Sequence, residues 1–218
     1  MPKPARKARA AAPRPKTAVP SESKFLLIDC ETTGLPLTRY FTPDDVSGWP
    51  RLVQLAWGVF SSSGEPEEMH CHIIKPEGFV IPADSTRIHG ISHATAVREG
   101  RRLAEVLDEL LVAISGGVTA VVAHNLEYDF GVVGGELVRL KRPLALLEFP
   151  GICTMKTTTE LCRLPRPGGF GFKWPTLVEL HGCLFGQGYE GAHDAESDLH
   201  ACARCFFRLL SLGHYEIS

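Results

Sequence analysis

A change of hydrophobic period part-way along the chain limits its fold more than any other feature. Phe25-Leu-Leu-Ile-Asp29 is a short apolar run of the kind that forms a buried strand. Val53-Gln-Leu-Ala-Trp-Gly-Val-Phe60 reads as a second strand, Ser61-Ser-Ser-Gly64 as a turn, and residues 69–74 as a third strand completing an antiparallel pair. The period then becomes helical. Leu103, Val106, Leu107, Leu110, Leu111 and Ile114 make one apolar stripe, which Gly116-Gly117 ends. Ala120-Val-Val-Ala123 is a fourth strand. Leu126, Phe130, Val133, Leu137 and Leu140 then alternate by four and three, predicting a helix that stops before Pro143. Shorter helices are expected over 154–162 and about 176–184, and a last one carries Leu199, Cys202, Phe206, Leu209 and Leu210 on one face. Strands first, then strands alternating with helices, predict an α/β fold with a mixed central sheet flanked by helices.

Residues 1–22 stand outside this pattern. They form a Pro/Ala-rich basic tail with Lys3, Arg6, Lys7, Arg9, Arg14 and Lys16, no acid before Glu22 and no apolar periodicity, so they are expected to be disordered. A transit peptide, a nuclear signal, a nucleic-acid-binding arm and a solvated tail of no specific role all fit that composition. Residues 23–218 are then one domain, and 44% hydrophobic residues are enough for a sizeable core. No apolar run approaches the roughly 20 residues that span a bilayer, and the first residues lack a secretory signal's apolar stretch. A soluble, intracellular protein without a membrane partner is expected, in nucleus, mitochondrion or cytoplasm. Seven scattered cysteines, an odd number, argue for a reducing compartment. Cys202-Ala-Arg-Cys205 has no second ligand pair and reads as the buried face of a helix rather than a zinc site. His70-Cys71-His72 is a weak metal signal on a strand face that is expected to be partly exposed.

Residues 1–20 hold six of the 23 Lys and Arg and no acid, so the remaining 17 face all 25 acids. An acidic body suits a polyanionic substrate only if several acids hold cations. Three clusters could do so. Asp29 and Glu31 close the first strand at i and i+2, so both carboxylates project to one side. Such paired oxygen ligands select Mg²⁺ or Mn²⁺. Asp129 lies where the fourth strand meets its helix, and could equally be a first-turn acid complementing the helix dipole, as could Glu127. His193-Asp-Ala-Glu-Ser-Asp198 opens the last helix. Five residues on one helix turn through about 140°, so His193 and Asp198 share a site only if His193 lies on the preceding loop.

In their order and spacing these clusters resemble the DEDDh, or DnaQ-like, exonuclease superfamily, which includes the proofreading ε subunit of bacterial DNA polymerase III. The resemblance runs over residues 25–210. It rests on Phe25-Leu-Leu-Ile-Asp-Cys-Glu-Thr-Thr-Gly-Leu35, on Val122-Ala-His-Asn-Leu-Glu-Tyr-Asp129 and on His193-x₄-Asp198, with Ile88-His-Gly-Ile-Ser92 between the first two. It implies a ribonuclease H-like sheet and a metal-dependent 3′→5′ exonuclease releasing 5′-mononucleotides from the 3′ end of DNA. One cation would be held by Asp29, Glu31 and Asp198, a second by Asp29 and Asp129, with His193 as general base. Thr32, Thr33 and Leu35 would line the terminal nucleotide pocket, with His89 near its phosphate or sugar. RNA trimming and a catalytically dead nucleic-acid-binding module are the alternatives. The substrate is expected to be a single-stranded 3′ end, and the absence of an evident polymerase-binding extension points to a stand-alone enzyme. Residues 36–51 depart from a compact member as a long link between the first two strands. They read as a surface excursion or as a shaper of substrate choice.

Overall fold

The computed structural model describes residues 19–38 and 40–217. Most of the basic tail, residues 1–18, thus lies outside the described residues, whereas Val19 packs on the core. The strands are β1 (Lys24–Thr32), β2 (Leu52–Ser61), β3 (Pro66–Ile73), β4 (Ala120–Ala123) and β5 (Gly151–Cys153). They form one sheet in the order β3-β2-β1-β4-β5. β1 pairs antiparallel with β2 and parallel with β4, so it is the central strand, and its C-terminal end opens at the boundary between the two halves. β3 continues antiparallel from β2, and β5 parallel from β4. The mixed sheet expected from the sequence is therefore present, with β5 as an added three-residue edge strand.

Alternation along β1 sends successive side chains to opposite faces. Leu26, Ile28 and Cys30 enter a core shared with the helices α3 (Leu103–Ser115) and α4 (Leu126–Arg139). Phe25 and Leu27 enter a second core, shared with α7 (Leu177–Phe185) and α8 (Ala195–Ser211). Leu107, Leu110 and Leu137 are fully buried on one side, as is Phe206 on the other. Phe25 meets Phe206 edge-on at 4.9 Å between centroids, a pairing that contributes about 1 kcal/mol beyond the area it buries. Cys202 and Cys205 lie buried on α8 among these side chains, as a core face.

Two short helices, α1 (Ala83–His89) and α2 (His93–Glu99), close one end over Val53, Ile81 and Ile91. The single helix expected over 154–162 is instead two four-residue turns, α5 (Thr154–Thr157) and α6 (Thr159–Cys162). The break falls on Thr158, whose buried hydroxyl donates to the Thr154 carbonyl at 2.6 Å. Threonines that bond back onto the preceding turn compete with the helix ladder and bend it.

The long link between β1 and β2 is exposed over much of 37–47 but is anchored on α4. Trp49 is 5% exposed and lies so close to α4 that a Cβ on Gly131 would sit 2.1 Å from its ring. Phe41 bears on Gly134 in the same way, at 2.9 Å, and meets Trp49 edge-on at 5.8 Å. Glu136, fully buried, accepts from Arg51 Nε at 2.8 Å and from Leu52 N–H at 3.0 Å. Arg139 donates to the carbonyls of Val46 and Trp49. Two glycines that permit close approach and one paired buried charge thus fasten this link to α4.

Candidate active site

The carboxylates meet at the C-terminal end of β1, from both sides of the sheet. Asp29 and Glu31 have the same parity as Phe25 and Leu27 and so lie on the α8 side, where Asp198 is in the first turn. Asp129 arrives from the first turn of α4, beside Cys30, and is only 3% exposed. Asn125 precedes that helix in the left-handed region (φ 81°) and turns the chain from β4 into α4. Glu127, the alternative in the same turn, is exposed and ion-paired with Lys156, away from the cluster.

His193 lies on the loop before α8, as the five-residue spacing requires. It is exposed, with φ at +71°, a strained conformation for a non-glycine residue. Its backbone N–H donates to Asp198 Oδ2 at 3.1 Å. The α8 cap is the next residue, Asp194, which accepts from Ser197 N–H at 3.1 Å. Gln54, a buried polar residue of β2, clasps this terminus: its Nε2 donates to Asp194 Oδ1 at 3.3 Å and its Oε1 accepts from Ala195 N–H at 3.2 Å. Sequence motifs do not single out Gln54, although it is the lone polar residue within the apolar run of β2. Tyr189 also takes part: its hydroxyl donates to Asp198 Oδ1 at 2.6 Å, from nine positions upstream.

The electrostatics show what this arrangement lacks. Burial, then Asp129, Asp198 and Glu31, push the Asp29 carboxyl well above the usual carboxylate range. Burial, then Asp198, Asp194 and Asp129, push Glu31 up to about 8. Burial pushes Asp129 up to about 8, against the pull of the Cys30 thiol and N–H. Asp198 is also raised by burial, opposed by Tyr189 and His193. Four carboxyls driven toward protonation by burial, and in Asp29 and Glu31 also by their acidic neighbours, fit divalent cations as the missing positive charge. Ligand atoms of Glu31, His193 and Asp198 already lie within 4.8 Å of one another.

Other groups shape the surroundings. His124 is half-buried and fixed at both nitrogens, 3.0 Å from Thr154 Oγ1 and 3.0 Å from the Pro175 carbonyl. The carbonyl can only accept, so Nε2 carries the proton and Nδ1 accepts. Burial pushes its pKa down to about 4, so this histidine is a neutral strut. A cavity of about 420 Å³ opens beside the carboxylates, walled by Thr32, Gly34, Leu35, Ile88, His89 and Tyr128. The Tyr128 hydroxyl donates to the Gly34 carbonyl at 2.9 Å and contacts Thr32 Oγ1, pinning the turn that holds out Leu35, which is 83% exposed. His89 is buried by α1, with Nδ1 accepting from Ile91 N–H at 3.1 Å and Nε2 lacking a partner of normal geometry. Thr33 departs from the expected pocket. Its hydroxyl accepts from Arg51 N–H at 2.9 Å, and it is not part of the cavity wall. His70 and His72 lie together on β3, two strands from β1 and on the α3 side of the sheet, beside Glu109 of α3, which accepts from Arg101. Among the described residues, no helix is long and apolar enough to cross a membrane.

Comparison with known proteins places this geometry. In structure the chain is similar to exonuclease I, with a TM-score of 0.69, 20% identity, and coverage of 87% of this chain and 41% of that one. A zinc-bound complex of E. coli exonuclease I with single-stranded DNA matches with a TM-score of 0.67 and 20% identity over 87% of this chain and 41% of that one. A moderately thermophilic exonuclease I from Methylocaldum szegediense matches with a TM-score of 0.63 and 20% identity over 87% and 40%. The chain thus spans about two fifths of the length of these proteins, and the shared part is the ribonuclease H-like α/β fold. Among curated proteins, no sequence matches. The RNase_T exonuclease family, in contrast, matches residues 26–206, from β1 into α8, and the chain belongs to that family of DnaQ-like DEDD exonucleases.

Proposed function

We propose that this chain is a metal-dependent 3′→5′ exonuclease that releases 5′-mononucleotides from single-stranded DNA. One observation carries the reading: Asp29, Glu31, Asp129 and Asp198 converge from both faces of the sheet with their carboxyls forced up, an arrangement that only protons or cations relieve. Asp29, Glu31 and Asp198 would hold one Mg²⁺ or Mn²⁺, and Asp29 with Asp129 a second. Bound there, the cations would supply an acidified water and neutralise charge on the phosphate and leaving oxygen.

The chain's own residues do the rest. His193, exposed on its loop and tied through its backbone to Asp198, takes the proton of the attacking water at a ring nitrogen. Tyr189 and Gln54 hold Asp198 and the α8 terminus in register. The terminal nucleoside enters the cavity beside Leu35, where Thr32 and Tyr128 fix the turn and His89 faces the sugar–phosphate. DNA is favoured as the polymer because the similar exonuclease I structures hold DNA oligonucleotides.

The test is hydrolysis of 5′-labelled and 3′-labelled single strands of DNA and RNA, each with Mg²⁺ and with EDTA. The reading requires a metal-dependent ladder from the 5′-labelled DNA and immediate release of labelled mononucleotide from the 3′-labelled strand. Cleavage of RNA alone would replace the substrate, and full activity in excess chelator would remove the two-metal mechanism.

A further inference from the structure

A scissile phosphate at Asp29 and Asp198 has chain on two sides, and two cavities meet there. The first takes the terminal nucleoside. The second, of about 550 Å³, shares Asp29, His124, Asn125, His193 and Asp198 with it and runs the other way, walled by Met155, Trp174 and Val178. Trp174 is 52% exposed, although nothing in either core calls for a large aromatic there. Lys156 Nζ lies 5.7 Å from the centroid of its ring.

Trp174 also stands at the foot of a small hairpin. Pro165 bridges Phe172, Lys173 N–H donates to the Leu164 carbonyl at 2.9 Å, and Arg166 N–H to the Gly171 carbonyl at 3.3 Å. Glycines at 168 and 171 with positive φ form the tip and present Phe170 wholly to solvent. The base is rigid: Lys173 is ion-paired with Glu179 at 2.6 Å, and Glu179 closes the capping box of α7 with Thr176. Arg163 lies over the Phe172 ring at 5.9 Å, and neither it nor Arg166 pairs with a carboxylate among the described residues. Exposed aromatics interleaved with cations, on a fixed support, are what a flexible polyanion with π-faced bases binds. An acidic metal cluster supplies no such attraction along the strand.

We propose that Trp174 and the 163–173 hairpin form the platform for the nucleotides 5′ of the scissile phosphate, with a base stacked on Trp174 and backbone phosphates on Arg163 and Arg166. This rests on the exonuclease reading above.

The experiment compares the full chain with Trp174→Ala, Trp174→Phe and the double change Arg163→Glu/Arg166→Glu. Binding of a labelled dT12 strand is read by anisotropy in Ca²⁺. Turnover with Mg²⁺ is read on dT12 and on the nitrophenyl ester of thymidine 5′-monophosphate, which fills the terminal site and carries no base or phosphate beyond the scissile bond. Trp174→Ala should weaken dT12 binding and raise its KM about tenfold or more, leave kcat within about twofold, and leave the ester unchanged. Trp174→Phe should recover most of the loss. The double change should weaken binding and flatten its salt dependence by about 0.7 in log–log slope for each phosphate that is no longer neutralised. Unchanged dT12 binding in Trp174→Ala and the double variant overturns the platform, as does an equal loss on dT12 and on the ester. A wild-type chain that binds dT12 through Trp174 and releases no nucleotide keeps the platform and overturns the exonuclease reading.

Discussion

Tyr189 donates a 2.6 Å hydrogen bond to Asp198 Oδ1, while the His193 backbone N–H occupies Oδ2. Both bonds favour the ionised carboxylate and oppose the rise that burial imposes on Asp198. Tyr189→Phe removes one of them and leaves the ring in place. The expected outcome is a carboxyl that ionises at higher pH and binds cations more weakly. The Mg²⁺ concentration for half-maximal activity should rise about three- to tenfold near pH 7, and the deficit should shrink as pH is raised. The Tyr189 hydroxyl is itself pushed up by burial and by Asp198, so it stays protonated as a donor throughout this range. An unchanged metal requirement at every pH would show that Asp198 does not depend on Tyr189.

The crowded carboxyls also predict how stability responds to pH. Glu31 and Asp129 bind protons up to about 8 in the folded chain, whereas unfolded carboxyls release theirs near 4. Between those values the native state holds more protons than the unfolded state, so stability falls as pH rises. In EDTA the melting temperature should therefore drop from pH 5 to pH 8. Mn²⁺ should raise it, and by more at pH 8 than at pH 5, because cations replace protons that are no longer there. Asp129→Ala should raise the metal-free melting temperature at pH 8 while lowering turnover at least a hundredfold. Melting in EDTA that is flat across this range would mean that the cluster carries no such strain.

Much of this was legible in the sequence, and the rest was not for identifiable reasons. Asp29 and Glu31 could be placed because strand alternation puts i and i+2 on one side, and the position of His193 followed from a helix angle that forbids it from α8. The helices α3, α4 and α8 carry stripes long enough to read. By contrast, α1 and α2 are seven residues each with no such stripe, and α1 supplies Ile88 and His89 to the cavity. Tyr189 and Gln54 reach Asp198 and Asp194 through tertiary contacts that no spacing rule encodes. Thr33 looked like a pocket residue beside Thr32, but the backbone turns there and gives its hydroxyl to Arg51 N–H. The glycines of α4 read as ordinary helix residues until Trp49 and Phe41 are seen resting on them.

Those glycines give a stability prediction remote from the chemistry. Helix propensity alone favours Ala over Gly by about 1 kcal/mol. At Gly131 the added methyl would lie 2.1 Å from the Trp49 ring, which is buried and cannot swing clear cheaply. Gly131→Ala should therefore lose about 1–3 kcal/mol despite its better propensity. Gly135→Ala, whose nearest neighbour is the end of the Arg139 side chain at 3.4 Å, should be near neutral or stabilising. Urea unfolding of the two variants checks the contrast, and equal midpoints would mean that the 36–51 link does not bear on α4 in solution.

His193 gives the sharpest test of the catalytic reading. As a helix cap it would be worth about 1 kcal/mol, but that position belongs to Asp194, which holds Ser197 N–H. The His193 side chain is exposed, so its removal should leave the melting temperature within about 2 °C. Its backbone N–H to Asp198 survives any side-chain change. His193→Ala thus separates proton transfer from folding and from the seating of Asp198. A general base contributes typically 10²–10⁴-fold, so kcat should fall on that scale while Mn²⁺ still raises the melting temperature nearly as in the parent. His193→Gln keeps polarity without a ring nitrogen to accept the proton and should behave like the alanine variant. A near-normal rate in both variants would remove His193 from the mechanism. His124 could not take its place, since both its nitrogens are already engaged by Thr154 and Pro175.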